Sequence, residues 1–173
     1  NIVLKTPKKI LIENNHFSSM MSSIFFRGES FYWFESGAVE DVLIQNNNFQ
    51  YCAYSGMEHA VLKISPRLGA DFDATEIYDR NIRFKDNTIQ TFDNQIVWGN
   101  RVDGLLISGN TIKHVPDAPA LYPSAPMFDF MNCKNVEISK NSYEVSNTHL
   151  FHYDQELKKT IKVKGNKGFN IKK

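Results

Sequence analysis

The sequence is poor in the features that mark several large classes of protein. Only two of its 173 residues are cysteines. Cys52 and Cys133 fall at different places in the repeat described below, so we expect buried free thiols and no disulfide. No apolar run approaches the length of a membrane span, so no membrane insertion is expected. The formal net charge is +1, which predicts no electrostatic attraction to nucleic acid.

The sequence also lacks the short motifs of the common catalytic classes. Its five histidines show neither the HExxH spacing of a zinc protease nor any other metal-ligand spacing. There is no GxSxG elbow, P-loop or dinucleotide fingerprint. We therefore expect no metal and no cofactor, and neither a serine hydrolase nor a nucleotide-dependent enzyme is supported.

What the sequence does contain is a short frame that recurs along the chain. In its plainest form two apolar residues, Val42 and Ile44, stand at alternate positions, Asn47 follows three places after the second, and Phe49 follows two places later. The frame occurs six times and weakens at its last occurrence. Its asparagines are Asn15, Asn47, Asn87, Asn110, Asn141 and Asn166.

The frame predicts an all-β solenoid. A fixed motif with spacers of variable length is typical of stacked repeats, and alternating apolar residues have the period of a strand with one buried face. Asparagine tolerates the left-handed backbone conformation that a corner requires, and stacked asparagines can form a ladder of side-chain hydrogen bonds. We therefore predict a right-handed parallel β-helix of about six coils with an asparagine ladder.

The chain begins at Asn1, without a methionine, and enters a strand pattern at once. We expect residues 1–173 to form a single parallel β-helix domain that is the C-terminal fragment of a longer protein, with upstream coils of the same parent chain as its partners. The missing signal peptide then carries no information about location.

A second column of strands precedes the frames, at Ile24–Phe26, 61–64, 96–98, 128–130 and Phe151–Tyr153. Within it, Lys63, Asp129 and His152 alternate with bulky apolar residues, so we expect these three to face outward, where they can floor a binding groove. Two connections between the columns are long, at residues 27–41 and 65–81, and they leave the same corner on consecutive coils. Insertions of this kind usually line a binding face. The proline-rich residues 114–126 are expected to form a lid, a docking strap or a plain surface loop.

The two long connections mix aromatic and acidic residues, as carbohydrate sites do. A sugar ring has an apolar side that packs on an aromatic face beside polar groups, and glycoside hydrolysis needs two carboxylates, about 5 Å apart for retention or 6.5–9.5 Å for inversion. The alternatives are structural: Trp33 packs the loop onto its own coil, Glu35 caps a turn, and Asp71 and Asp73 are simply solvated.

Both connections carry acidic residues. The first also carries the string Trp33-Phe34-Glu35-Ser36-Gly37, and the frame of Asn47 follows it. This stretch resembles glycoside hydrolase family 110, the bacterial α-1,3-galactosidases of right-handed β-helix fold, over roughly the first two thirds of the chain. The resemblance implies inverting hydrolysis of a terminal α-galactoside by two carboxylates without a metal, a glycan as partner, and a secreted or periplasmic location.

From the resemblance we expect Glu35 to be the catalytic acid or base, if one lies in these coils. Arg27, Glu29 and Trp33 are expected to bind sugar, with Asp71 and Asp73 supporting them from the next coil. Two rival hypotheses remain, a non-catalytic carbohydrate-binding β-helix and a structural capping β-helix. A polysaccharide lyase with calcium at Asp71, Asp73 and Glu76 is a further alternative.

Overall fold

The computed structural model of the protein describes residues 1–5, 8–32, 37–73, 76–144 and 150–169. Its strands, numbered β1–β17 along the chain, form three parallel sheets. Sheet A consists of β1 (Ile2–Leu4), β4 (Ile24–Phe26), β7 (Leu62–Ile64), β10 (Val97–Asn100), β13 (Phe128–Met131) and β16 (Phe151–Tyr153). Sheet B consists of β2 (Lys8–Glu13), β5 (Glu40–Gln45), β8 (Asp79–Lys85), β11 (Val102–Ser108), β14 (Lys134–Ser139) and β17 (Lys162–Lys164). Sheet C consists of β3 (His16–Ser19), β6 (Asn48–Cys52), β9 (Thr88–Thr91), β12 (Thr111–His114) and β15 (Ser142–Tyr143).

Each coil passes through sheet A, then sheet B, then sheet C, which is the winding of a parallel β-helix. The two predicted columns are confirmed as sheets A and B. The third sheet was not predicted, because its strands are only two to five residues long and so show little alternation. Each begins at the residue after a frame asparagine, and the last apolar residue of the frame is its inward-facing member.

The core is a set of stacked columns inside the three sheets. The strand register places Val42, Ile82, Leu105 and Val136 over one another, and all four are essentially inaccessible to solvent. On the sheet C side the Phe17 and Phe49 rings stack with centres 4.8 Å apart. Burial of an apolar side chain of this size contributes about 1.5–3 kcal/mol, so the stacked frame residues contribute strongly to the cohesion between coils.

The predicted asparagine ladder is present at the corner between sheets B and C. The side-chain oxygen of Asn87 accepts hydrogen bonds from the backbone nitrogen and the side-chain nitrogen of Asn47, at 2.9 and 3.1 Å. The side-chain oxygen of Asn110 accepts the same pair from Asn87, at 3.0 Å each. This geometry recurs from Asn15 to Asn166, so every pair of adjacent coils is joined at this corner.

We expected the ladder asparagine itself to adopt the left-handed backbone conformation at this corner. In the structure, the residue before it does so. Positive φ angles occur one place before the ladder in all six coils, at Asn14, Asn46, Asp86, Gly109, Lys140 and Gly165. The ladder asparagines are therefore needed for their amides and not for their backbone conformation. Since the preceding position needs only tolerance of positive φ, glycine, Asn, Asp and even lysine occur there.

The two cysteines are free and buried, as predicted. Burial raises the pKa of the Cys133 thiol to about 12 and raises that of Cys52 as well. Both thiols are therefore protonated at neutral pH and act as small apolar side chains. Within the described part of the chain no helix is long and apolar enough to cross a membrane.

Candidate functional site

The outward side of sheet A carries one continuous row of aromatic and charged side chains. The strand register places Phe25, Lys63, Trp98, Asp129 and His152 side by side on consecutive coils. Neighbouring strands lie about 4.8 Å apart, so each of these side chains stands beside the next. We call these five residues the outer row. The expectation that the lysine, aspartate and histidine face away from the core is confirmed.

Lys63 lies inside the outer row between two aromatic rings. Its ammonium nitrogen is 5.1 Å from the centre of the Phe25 ring and 4.2 Å from that of Trp98. It also donates a hydrogen bond of 2.6 Å to the carbonyl oxygen of Glu58. The pKa of Lys63 is lowered, mainly by burial. The negative charge of Glu58 opposes this shift, and the positive charge of Arg27 adds to it. A desolvated cation over an aromatic ring is worth about 2 kcal/mol, so Lys63 fixes the two rings and the chain segment above them.

Asp129 and His152 form the more open end of the outer row. Nδ1 of His152 lies 2.7 Å from Oδ1 of Asp129, and both side chains are partly exposed. A contact this exposed contributes little to stability, but it orients the carboxylate beside the Trp98 ring. The row therefore presents an aromatic face next to a carboxylate.

A small cavity of about 90 Å³ opens beside Trp98 and Asp129. Its other walls come from two chain returns, residues 57–60 and 125–126, and from Gln95, which lies two residues before β10. His59 contributes a polar edge, while Met57 and Pro126 contribute apolar ones. The cavity is thus partly apolar and partly hydrogen-bonding.

The proline-rich residues 114–126 reach this cavity because they are held to the coil beneath. Both carboxylate oxygens of Asp93 accept backbone hydrogen bonds from the segment, from Leu121 at 3.3 Å and from Tyr122 at 3.2 Å. The side-chain nitrogen of Asn94 donates to the carbonyl oxygen of Pro123 at 2.8 Å. Of the three expectations for this segment, these contacts favour the plain surface loop, held against the coil beneath it.

The two long loops pack against each other where they leave the C-terminal ends of β4 and β7 in sheet A. We define the first loop as residues 27–39 and the second as residues 65–78. The carbonyl oxygen of Gly28 accepts a hydrogen bond from Arg67 at 2.6 Å, and Arg67 in turn accepts one from Ser30 at 3.0 Å. The Tyr78 ring lies so close to Gly28 that a Cβ there would fall 2.2 Å from a ring carbon. The prediction that these loops meet on consecutive coils is confirmed.

Arg27 and Glu29, two of the predicted sugar-binding residues, stand next to the outer row. The Arg27 guanidinium lies 5.5 Å from the centre of the Phe25 ring, and its Nε is 4.0 Å from Oε2 of Glu29. Glu29 is buried and its Oε1 accepts a hydrogen bond of 3.2 Å from the Tyr32 backbone nitrogen. Glu29 is therefore an anchored carboxylate at the base of the first loop.

Asp71 and Asp73, the other two acids predicted from the described part of the loops, are exposed. Arg101 donates hydrogen bonds to the carbonyl oxygens of Asp73 and Glu76, at 2.5 and 3.2 Å, and so holds the second loop toward the following coil. Among the described residues, no three histidine, cysteine, aspartate or glutamate side chains form a group that can hold a metal ion. Trp33 and Glu35 lie outside the described residues.

Sequence reasoning missed Asp79, a carboxylate at the point where both long loops end. Asp79 is fully buried, and its Oδ1 accepts a hydrogen bond of 2.8 Å from the Val39 backbone nitrogen, the last residue of the first loop. Burial raises its pKa to about 6, against opposing effects of the Val39 hydrogen bond and of Arg80. Nothing in the sequence marks this aspartate, because the position matched to it by register in the next coil is Val102.

Comparison with known proteins adds a family and several relatives. The family model described as "right handed beta helix region" matches residues 1–173. The chain is 38% identical over 144 residues to a protein of Bacteroides fragilis named α-1,3-galactosidase A, an alignment covering 82% of this chain and 24% of that protein. It is 35% identical over 176 residues to α-1,3-galactosidase B of Bacteroides thetaiotaomicron, covering 99% and 28%. It is 28% identical over 144 residues to α-1,3-galactosidase A of Streptomyces avermitilis, covering 83% and 22%. The chain spans about a quarter of the length of the curated relatives it matches.

Proposed function

This chain belongs to the right-handed β-helix proteins and to glycoside hydrolase family 110, and from that premise we propose that its outer row forms part of the glycan site of an exo-α-galactosidase. The substrate is a glycan that ends in an α-linked galactose. The reaction is inverting hydrolysis by two carboxylates. On the same premise we propose a secreted or periplasmic location.

The outer row is the observation that carries the proposal. It sets the Trp98 ring beside the Asp129 carboxylate and against the buried Lys63 ammonium on the outward side of sheet A. A pyranose has one apolar side and a rim of hydroxyls, so it fits an aromatic surface flanked by charged hydrogen-bonding groups. The Arg27–Glu29 corner extends this strip toward the first long loop.

For catalysis we propose Glu35 as the acid or base that these coils contribute. Inversion requires two carboxyl groups about 6.5–9.5 Å apart, with room for a water between them. Arg27, Glu29 and Trp33 bind the sugar, and Asp71 and Asp73 support them from the next coil.

The catalytic role of Glu35 predicts a loss of turnover in Glu35→Gln. In the full-length natural protein that contains these residues, hydrolysis of an α-galactoside should fall by roughly tenfold or more, because the amide can neither donate nor accept the transferred proton. The matched control is Glu76→Gln, an exposed glutamate on the neighbouring loop, which should keep wild-type kcat. Unchanged turnover in Glu35→Gln removes the residue from the mechanism.

A carbohydrate-binding role without hydrolysis is the second candidate. The carboxylate in the outer row and the one beside it are already engaged, Asp129 with His152 and Glu29 with Arg27, as suits groups that hold hydroxyls in place. Binding of α-galactosides by the full-length protein without measurable hydrolysis supports this second function over the first.

Both candidates predict that Trp98 contacts sugar. Trp98→Ala should weaken α-galactoside binding by about tenfold, since removal of an aromatic face costs about 0.5–1.5 kcal/mol beyond the area it buries. Trp98→Phe, which keeps a ring, should retain most of the affinity. Isothermal titration calorimetry on both variants checks this, and equal affinity for the wild type and Trp98→Ala would contradict a sugar site on the outer row.

A further inference from the structure

The outward side of sheet B carries an open groove that the proposed galactoside site does not use. Its floor is β11, at Gly104 and Leu106, and its walls include Asn81 and Arg83 from β8 and Glu137 from β14. We call it the sheet B groove. Its volume is about 460 Å³, within the range of about 300–1,000 Å³ that is usual for small-ligand sites. None of the residues that line it belongs to the outer row, so it is a separate site.

The groove is open because a glycine interrupts a column of side chains. Lys9, Asp41, Asn81, Gly104 and Asn135 occupy one position of sheet B on consecutive coils, and all five have positive φ angles. Gly104 alone adds no side chain to the column. A Cβ at Gly104 would lie 3.1 Å from Oδ1 of Asn81, so the Asn81 amide borders the gap.

Arg83 gives one wall of the groove a set of uncommitted hydrogen-bond donors. The strand register places it between Leu43 and Leu106, so its neighbours in the row offer no charged partner. The side chain is exposed, and within the described part of the chain it makes no hydrogen bond or ion pair. A guanidinium has five N–H donors and no acceptor. This wall can therefore donate to a ligand without breaking an existing contact.

Glu137 gives the opposite wall an ionised acceptor. Its Oε1 accepts a hydrogen bond of 2.9 Å from Oγ of Ser139 and lies 3.2 Å from Nζ of Lys164. The Ser139 hydrogen bond, and then Lys164, lower the pKa of Glu137, so the carboxylate is charged at neutral pH. The side chain is 31% exposed. A carboxylate has about four acceptor positions on its two oxygens, and both of these contacts fall on Oε1.

We propose that the sheet B groove is a second glycan-binding site, which takes one neutral sugar unit of a polysaccharide. Arg83 donates to one sugar oxygen, Glu137 accepts from a hydroxyl, and the apolar side of the ring packs on Leu106. The strands β8 and β14 are two strand spacings apart, roughly 10 Å, which leaves room for a single ring between the walls. An anionic sugar fits less well, because the carboxylates of Glu137 and Asp41 both line the groove.

The first test compares two polysaccharides of different charge. The full-length natural protein is run on native gels that contain galactomannan, which is neutral, or polygalacturonate, which is anionic. Galactomannan should slow the protein and polygalacturonate should not. Retardation by polygalacturonate alone overturns the neutral-sugar assignment. If neither polymer slows the protein, the sheet B groove is not a glycan site, whereas the outer row is judged separately by calorimetry with α-galactosides.

The second test assigns the binding to the groove. Arg83→Ala should lower the affinity for galactomannan by about tenfold, the usual effect of losing a hydrogen bond to a charged group. Arg80→Ala is the matched control, because Arg80 is an exposed arginine on the same strand outside the groove. It removes the same charge and should keep the wild-type affinity. Trp98→Ala should also leave the retardation in place.

Two results of the second test would contradict the proposal. If Trp98→Ala abolishes the retardation and Arg83→Ala does not, the outer row and not the groove binds the polysaccharide. If analytical ultracentrifugation shows a wild-type dimer that Arg83→Ala converts to a monomer, the groove is covered by a second copy of the chain and not by a glycan.

Discussion

Replacing Asn87 by alanine is expected to lower the free energy of unfolding by about 3–5 kcal/mol, which is exceptional for a single substitution. Asn87 is buried in the middle of the ladder. Its side-chain oxygen accepts two hydrogen bonds from Asn47, and its side-chain nitrogen donates to Asn110 and to the carbonyl oxygen of Ile44. Alanine removes all four bonds and leaves the Asn47 backbone N–H buried without an acceptor. Urea unfolding, followed by far-UV circular dichroism, measures the change.

The matched control, in the chain of residues 1–173, is the same substitution at Asn15. Asn15 is exposed, and its side-chain nitrogen donates to Asn47 and to the carbonyl oxygen of Glu13. Asn15→Ala removes only two side-chain hydrogen bonds, and Oδ1 of Asn47 still accepts from the Asn15 backbone nitrogen, so we expect a loss of about 1 kcal/mol or less. Similar losses of stability in the two variants would mean that the ladder hydrogen bonds do not hold the coils together.

The repeated frame explains why the fold could be predicted from the sequence. The positions that Val42, Ile44 and Asn47 occupy have the same structural role in every coil. The pattern is therefore visible six times, and a departure from it in one coil does not hide it. The error about the left-handed corner has the same origin. Asparagine suits both a ladder and a positive φ angle, and the sequence alone does not separate these roles. The structure separates them, because Lys140 adopts the positive φ angle directly before a ladder asparagine.

The candidate site was less predictable, because it depends on segments without a repeat. The outward direction of Lys63 and Asp129 could be predicted from strand alternation. Arg27 and Glu29 could be chosen as candidates because they lie on the unusually long first loop. Gln95 and His59 lie in chain returns between sheets C and A, where no periodicity fixes the direction of a side chain. Their meeting beside Trp98 results from the packing of three consecutive coils, and a sequence read one coil at a time does not reveal it.

Asp79 connects the stability of the fold to the loops that carry the candidate site. It stands at the end of the second long loop and holds the end of the first through the Val39 backbone nitrogen. Its Oδ2 is buried without a hydrogen-bond partner among the described residues. A carboxylate in this position is poorly solvated, which is why burial raises its pKa from 3.8 to about 6.

The second large effect is therefore a pH-dependent one, tested with Asp79→Asn. The folded state binds the Asp79 proton more tightly than the unfolded state, so the stability due to this proton is fully present below pH 3.8 and is lost as pH rises through about 6. The raised pKa corresponds to roughly 3 kcal/mol in all, of which roughly 2 kcal/mol falls between pH 4.5 and 8. The substituted amide keeps an oxygen for the Val39 N–H but cannot ionise. The stability of the variant relative to the wild type should accordingly rise by roughly 2 kcal/mol from pH 4.5 to pH 8.

The pH-dependence distinguishes this effect from an ordinary change in packing. The amide nitrogen introduced by Asp79→Asn changes the hydrogen bonding at this position, but that change is the same at every pH and cancels when two pH values are compared. Asp71→Asn, at an exposed aspartate on the same loop, should show no such rise. Urea unfolding of the wild type and both variants at pH 4.5, 6 and 8 supplies the comparison. If the difference between Asp79→Asn and the wild type stays constant with pH, Asp79 is ionised as easily in the folded state as in water, and the two loops are not joined by a carboxyl group that protonates near neutral pH.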